Sequence, residues 1–362
     1  MGGLVVAALL LGIITGNDLV TELSLVLLGL LCTPAAVILL TELAYGIPVP
    51  TLRKRGEVLE LSTPFGSRRV VALEIRDVRH GVMDLTPIRH YGVCKAFLEG
   101  LLVEPDASYT LVYEKLKSGF KAILLVVPKR DVSERRLVSI ALNIIKQLRP
   151  LGIEARVMTT PPTIPFHAGA SGYRLILLLI LLLMGVLAIG RGAYSIGFLA
   201  VLYSSASLTA SYIIRGYARR VDGEMYVLKG NESMYTEPSY EELYSRARWL
   251  FELVNSLSSF TMIMRFEKAP AYVGVTLERR AFSLYERATA FDKLSLMVRA
   301  DRILKAVERH FHRRESLLLF SMLLIAPKRE ALALRSALDV AGLRMGRCLL
   351  RAPAVWSVLG LP

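Results

Sequence analysis

The chain has 362 residues, 53% of them hydrophobic and 21% charged, with a formal net charge of +14 and a mean hydropathy of +0.46. That balance excludes collagen, coiled-coil, disulfide-scaffold and wholly disordered chains. Arg supplies 33 of the 45 basic residues while Asn and Gln together number five, which suggests a heat-adapted source. Cys32, Cys94 and Cys348 lie too far apart for a disulfide framework or a zinc-ligand spacing.

The apolar excess comes in blocks. Residues 1–16, 23–40, 175–190 and 195–214 are almost purely apolar, and they come in pairs separated by residues 17–22 and 191–194. At about 1.5 Å per residue such blocks span roughly 24–30 Å, close to the thickness of a bilayer core. Turns this tight predict two transmembrane hairpins, since unpaired backbone does not lie in lipid. A cleaved signal peptide fits residues 1–16 less well, because no Lys or Arg precedes the apolar run. No Asp, Glu, Lys or Arg interrupts any of the four blocks, which argues against an ion-coupled transporter.

Orientation follows from the flanking basic residues. Arg53, Lys54 and Arg55 follow the first hairpin, Arg174 precedes the second, and Arg215, Arg219 and Arg220 follow it. The positive-inside rule places the N-terminus and both soluble pieces in the cytoplasm of a multi-pass cell-membrane protein, with these residues at the lipid interface. The fourth apolar block carries Ala200, Ser204, Ser207 and Ser211 on nearly one face, a spacing that permits close helix packing within the chain or between copies.

The soluble pieces hold an internal echo. Ala122-Ile-Leu-Leu-Val-Val-Pro128-Lys129-Arg130-Asp131 returns as Ser321-Met-Leu-Leu-Ile-Ala-Pro327-Lys328-Arg329-Glu330, and Gly56-Glu57-Val58-Leu59 as Gly223-Glu224-Met225-Tyr226. The echoes keep their order relative to the hairpins, so the anchor-plus-domain unit reads as duplicated. In the first unit, periodicity predicts strands at 69–78, 109–117, 120–127 and 153–158, with helices at 86–102 and 132–148. This is the β-α-β-β-α-β order of ferredoxin-like folds. The second unit predicts strands at 225–228, 259–267, 317–326 and 343–350, with helices at 240–257 and 330–341. A basic helical insertion at about 269–315 stands between its second and third strands. The expected organisation is hairpin 1 (1–45), domain 1 (46–165), hairpin 2 (173–216) and domain 2 (217–362). The fold class expected is a membrane-bound α+β protein with four transmembrane helices, each hairpin followed by a ferredoxin-like cytoplasmic domain.

Phe260-Thr-Met-Ile-Met-Arg-Phe266, the helical insertion, and residues 317–326 with their Leu-rich helix carry a resemblance. The second unit resembles the amino-terminal docking module of conjugation-type ATPases of the type IV secretion and HerA-related group. It covers about 100 of the 362 residues and rests on layout and apolar pattern. In that family the module precedes the motor and helps tie it to a membrane channel. The resemblance implies a component of an archaeal conjugation-type or DNA-import machine. No Gly-x-x-x-x-Gly-Lys-Ser/Thr occurs here, so it also implies that any ATPase is a separate chain.

Motifs for chemistry are missing. The sequence has no Gly-x-Ser-x-Gly, His-Glu-x-x-His or Cys-x-x-Cys, and His310 and His312, two apart, point away from each other on a helix. No catalytic residue, cofactor or metal is therefore expected. The two Pro-Lys-Arg-acid corners read as strand-to-helix turns, with Lys129, Arg130, Lys328 and Arg329 as candidate contacts for a partner or nucleic acid. Arg279, Arg280, His310, His312, Arg313 and Arg314 form the densest basic set away from the expected membrane interface; interleaved acids favour a solvated face, and contact with DNA backbone or an acidic partner is the functional alternative. The sequence thus points to a non-enzymatic membrane scaffold that docks a separate hexameric ATPase. Its expected partners are lipid, other membrane subunits, further copies of the chain and, non-specifically, DNA. A membrane-tethered sensor of a small ligand is the alternative.

Overall fold

The fold is that of a computed structural model, which describes residues 14–15, 18–44, 46–64, 66–78, 107–116, 119–161, 167–168, 173–214, 216–220, 223–228, 257–312, 318–340, 345–348 and 351–359. The expected helices at 86–102 and 240–257, and most of the first apolar block, lie outside the described residues.

A long helix, α1 (Asp18–Ala44), runs into a short strand, β1 (Ile47–Pro48). The first soluble stretch then forms β2 (Thr51–Arg55), β3 (Val58–Thr63), β4 (Gly66–Val78), β5 (Ala107–Leu116) and β6 (Gly119–Pro128). Helix α2 (Glu134–Leu148) and strand β7 (Ile153–Val157) complete it. Ser133 caps α2 by accepting from the Arg136 amide at 3.4 Å, Glu134 and Lys146 suit the helix dipole, and Gly152 closes the following turn at φ 75°. Leu137, Ile140, Ala141, Ile144 and Leu148 form its buried stripe.

Strand β8 (His167–Ala168) leads into the helices α3 (Tyr173–Gly190) and α4 (Tyr194–Ile214). Strands β9 (Ala218–Arg220) and β10 (Glu224–Leu228) follow, and later β11 (Phe260–Lys268). Two insertion helices, α5 (Ala271–Phe291) and α6 (Leu294–His312), precede β12 (Leu318–Ala326). The chain closes with α7 (Lys328–Val340), β13 (Met345–Arg347) and α8 (Arg351–Leu359).

Ten strands make one antiparallel sheet in the order β13-β10-β12-β11-β5-β6-β4-β3-β2, with β7 also paired to β4. Within it each half repeats one arrangement: β7-β4-β6-β5 and β13-β10-β12-β11. Numbered along the chain, both read 4-1-3-2. The halves join where β11 pairs with β5, from Phe260 opposite Lys115 to Glu267 opposite Ser108. These are the second strands of their respective halves, so like pairs with like about a local two-fold axis. The two soluble halves thus share one sheet.

One face of the sheet carries two separate cores. Helix α2 covers Val71, Leu73, Leu124 and Val126, while α7 covers Tyr226, Met322, Leu324 and Ala326. The opposite face is a single core spanning both halves, from Leu59 and Val70 through Val112, Ile123 and Ile263 to Leu323 and Met225, roofed by Val355 and Val358 of α8. With both faces covered, β6 reads as an unbroken apolar run rather than an alternating one.

The sequence echoes do not map directly onto this repetition. The Pro-Lys-Arg echo aligns Leu124 with Leu323, but Leu124 faces α2 whereas Leu323 faces the shared core. A one-residue slip in a strand exchanges its faces, so the structurally equivalent residues are one position displaced. Likewise Val58 opens β3, whereas Met225 belongs to β10, whose place in the first half is taken by β4.

A second, three-stranded sheet, β1-β9-β8, gathers the chain where it leaves α1, enters α3 and leaves α4. Gly46 is needed at this collar. Its φ is +107°, and an added Cβ would stand 2.5 Å from the Arg219 carbonyl oxygen.

Candidate functional site

Two surfaces stand out: the exterior of the apolar helices and the helical arm α5–α6. Helices spanning Val20–Glu42 and Tyr194–Ile214 are long and apolar enough to cross a membrane, and α3 contains a shorter apolar stretch, Leu178–Gly190. Their polarity is inside-out. Leu23, Leu183, Ile196 and Tyr212 are 58–80% exposed, while Ser204, Ser207 and Ser211 are 0% exposed. A core helix of a water-soluble protein would be mostly buried, yet only 11% and 22% of the two long apolar windows are. Small residues let the backbones approach: a Cβ on Gly197 would lie 2.7 Å from the Gly185 carbonyl oxygen, and one on Gly185 3.0 Å from Ala200 Cβ. The Tyr203 hydroxyl donates to the Gly29 carbonyl at 2.6 Å, crossing from α4 to α1. The small face from Ala200 to Ser211 therefore packs within the chain.

The residues expected at the lipid interface gather only in part. Arg53, Lys54 and Arg55 are exposed on β2, with Arg55 bridged to Glu60 at 2.7 Å. The Ser67 hydroxyl and Arg55 hold the Glu60 carboxyl below the usual carboxylate range. Arg219 and Arg220 lie on β9 in the collar and Arg174 near the start of α3. Arg215 lies outside the described residues.

The two Pro-Lys-Arg corners differ in geometry. Pro128 ends β6, and Lys129 and Arg130 sit in a loop before α2, whereas Lys328 and Arg329 form the first turn of α7 itself. The registers place the corners at opposite ends of the central strands, so they make no common patch. Each abuts the other half. Lys129 lies 3.6 Å from Glu267 at the root of the arm, and Lys115 of β5 lies near Glu330.

Glu330 buttresses the loop before β11 by accepting from the Ser258 hydroxyl and from the Ser258 and Ser259 amides at 3.3 and 3.4 Å. Burial pushes its carboxyl up, but these hydrogen bonds outweigh it and hold the group below the usual range. In the first half Glu134 holds a different segment, the β2–β3 turn, accepting from the Glu57 amide at 2.6 Å.

The arm has a private core. Leu277, Ala281 and Leu284 of α5 meet Ala300, Ile303 and Val307 of α6, and Tyr285 donates to Asp301 across the pair. The tip turns at Asp292 in the left-handed region, φ 49°. Phe291 and Leu294 beside it are 68% and 74% exposed. Arg279 and Arg280 are exposed along α5, while Arg313 and Arg314 lie outside the described residues. At the arm's root, Arg265, Glu267, Leu319, Phe320 and Ser321 line a small open cleft of about 230 Å³. Arg265 bridges Glu267 there at 3.0 Å.

Among the described residues no group of three His, Cys, Asp or Glu side chains is placed to hold a metal ion. Sequence periodicity missed the collar, the β2–β3 hairpin and helix α8. Pro353 near the start of α8 was the available signal, since Pro suits the first turn of a helix.

The chain matches no protein-family model, and no curated protein is recognisably similar to it.

Proposed function

We propose that this chain is a non-enzymatic integral membrane scaffold that docks a separate HerA-like hexameric ATPase in a conjugation-like or DNA-import machine. In this reading four helices cross the bilayer as two hairpins, both soluble halves are ferredoxin-like, and all the soluble mass is cytoplasmic. The inside-out polarity of α1, α3 and α4 supports lipid as the medium around them. The observation that carries the docking role is the arm: a helical pair with its own core, basic flanks and apolar tip, growing from the centre of the sheet. Among the described residues the arm's core holds side chains of its own two helices, which leaves its outer faces for a partner. Other membrane subunits and further copies of the chain would complete the assembly, with DNA contact restricted to backbone charge.

Affinity purification from native membranes tests this reading. The wild-type chain is expected to bring down an ATPase, and a chain with Phe291→Asp and Leu294→Asp at the arm tip is expected to lose it while still extracting with the membrane fraction. Repeated failure of the wild type to retain any ATPase would sink the proposal. A second reading, a membrane-tethered sensor, draws on the cleft at the arm's root. A small ligand that raises the melting temperature of the wild type but not of Arg265→Ala would favour it.

A further inference from the structure

The last described element, α8, has only nine residues, from Arg351 to Leu359. A helix that short is not stable in water by itself, because nucleation costs more than two turns of hydrogen bonds return. Its ends are held by residues from distant parts of the chain. At the N-terminus, where unpaired amides and the helix dipole favour a negative charge, the Arg351 amide donates to the Glu42 carboxylate of α1 at 3.1 Å. At the C-terminus, the Thr110 hydroxyl of β5 donates to the Val358 carbonyl at 3.1 Å. Between them the Trp356 indole N–H donates to the Pro48 carbonyl of β1 at 2.6 Å. Ala354, Val355, Val358 and Leu359 are buried in the core that spans both halves. The strands beneath α8 are β11 and β12, the two that continue into the arm.

We propose that α8 is a coupling strap, folded only while the end of α1 and the seam between β5, β11 and β12 stand in register. One cap comes from the membrane-side helix and the other from the seam. Moving the arm's root strands relative to α1 must therefore pull Glu42 or Thr110 off its end of α8 and release the whole helix. Conversely, a shift of α1 reaches the arm's root through the same nine residues. The strap stands on these contacts alone and does not depend on what the arm docks.

Hydrogen–deuterium exchange on the full-length chain in lipid nanodiscs tests it, comparing wild type with Glu42→Gln and Thr110→Val. Glu42→Gln keeps an acceptor but removes the negative charge that faces the helix N-terminus, and Thr110→Val removes the hydroxyl donor; both leave side-chain volume nearly unchanged. Either one is expected to speed exchange over all of residues 351–359 by about three- to tenfold, the worth of a charge lost from a helix N-terminus or of one lost buried hydrogen bond. Glu42→Gln is also expected to speed exchange at the β5–β11 seam, although Glu42 lies on α1 and on neither strand. Trp356→Phe, which keeps a ring in the core and removes only the indole donor, supplies a third variant should either of the others misfold, with the same expectation for residues 351–359. Exchange that quickens only beside each substitution, or that leaves the seam unchanged in Glu42→Gln, overturns the proposal.

Discussion

Ile263 of β11 lies directly opposite Val112 of β5, and the two side chains, 0% and 4% exposed, belong to one core that runs beneath both halves of the chain. The first half therefore cannot be destabilised at this point without the second. Truncating Ile263 to Ala leaves a cavity in that shared core and is expected to cost about 2–5 kcal/mol. Denaturant unfolding in detergent, followed by exchange or proteolysis at sites in each half, should show both halves shifting together. Two separate midpoints would contradict a common core.

Gly197 and Gly29 both occupy helix crossings, but they differ in what an added methyl would meet. On Gly197 it would press on backbone, 2.7 Å from Gly185 O and 2.9 Å from Ile189 N, whereas on Gly29 it meets the flexible end of the Leu199 side chain. Backbone cannot step aside without separating α3 from α4. Gly197→Ala is expected to destabilise the bundle by about 1–3 kcal/mol and Gly29→Ala by much less. Thermal denaturation of the two variants in the same detergent checks the ranking.

The lowered carboxyl of Glu330 makes part of the fold acid-sensitive. Its folded-state value lies below the unfolded one, so the stabilisation is complete above the ordinary carboxylate range. It is lost as pH falls from there through the depressed value. Glu330→Gln keeps an acceptor but cannot titrate. The difference in stability between wild type and variant is expected to be constant from pH 6 upward and to shrink on acidification. A difference that grows with acid would reverse the sign argued here.

The arm should unfold by itself. Ile303 is fully buried, and among the described residues its core is built from α5 and α6. Ile303→Ala is expected to expose the arm to protease at its basic residues while the sheet and the apolar helices keep their wild-type resistance. Cleavage spreading into β11 and β12 at the same protease dose would show the arm and sheet to be one cooperative unit.

Membrane orientation can be read with single cysteines in a chain freed of its own thiols. Ala193, in the exposed turn between α3 and α4, and Lys54, exposed on β2, are placed at opposite ends of the apolar helices. With the soluble halves cytoplasmic, Ala193→Cys is expected to react with an impermeant maleimide on intact cells and Lys54→Cys only after permeabilisation. The opposite pattern would invert the topology.

Local pattern located most of the described elements. Strands predicted at 120–127 and 317–326 appear as Gly119–Pro128 and Leu318–Ala326, and the helix predicted at 132–148 appears as Glu134–Leu148, starting two residues into its range because Ser133 caps it. The insertion expected at about 269–315 is helical from Ala271, where Pro270 at φ −59° precedes the first turn. What pattern could not supply was partnership. Met262, Met264 and Phe266 alternate as any half-buried strand does, and nothing in that alternation says that β11 takes β5 as its neighbour. Helix α8 was missed for a related reason. Its order comes from Glu42 and Thr110, more than two hundred residues away, rather than from its own periodicity.

Pairing β5 with β11 also decides how copies of the chain can meet. The two strands that two separate four-stranded sheets would have left open close on each other, so among the described residues the strands of this sheet that lack an outer neighbour are β2, β7 and β13. Each carries a deterrent: Arg53, Lys54 and Arg55 project from β2, Glu154 and Arg156 are set along β7, and β13 is three residues long. Charged or short borders resist strand-to-strand addition. The described borders of the large sheet are therefore poor places for a second copy to add a strand.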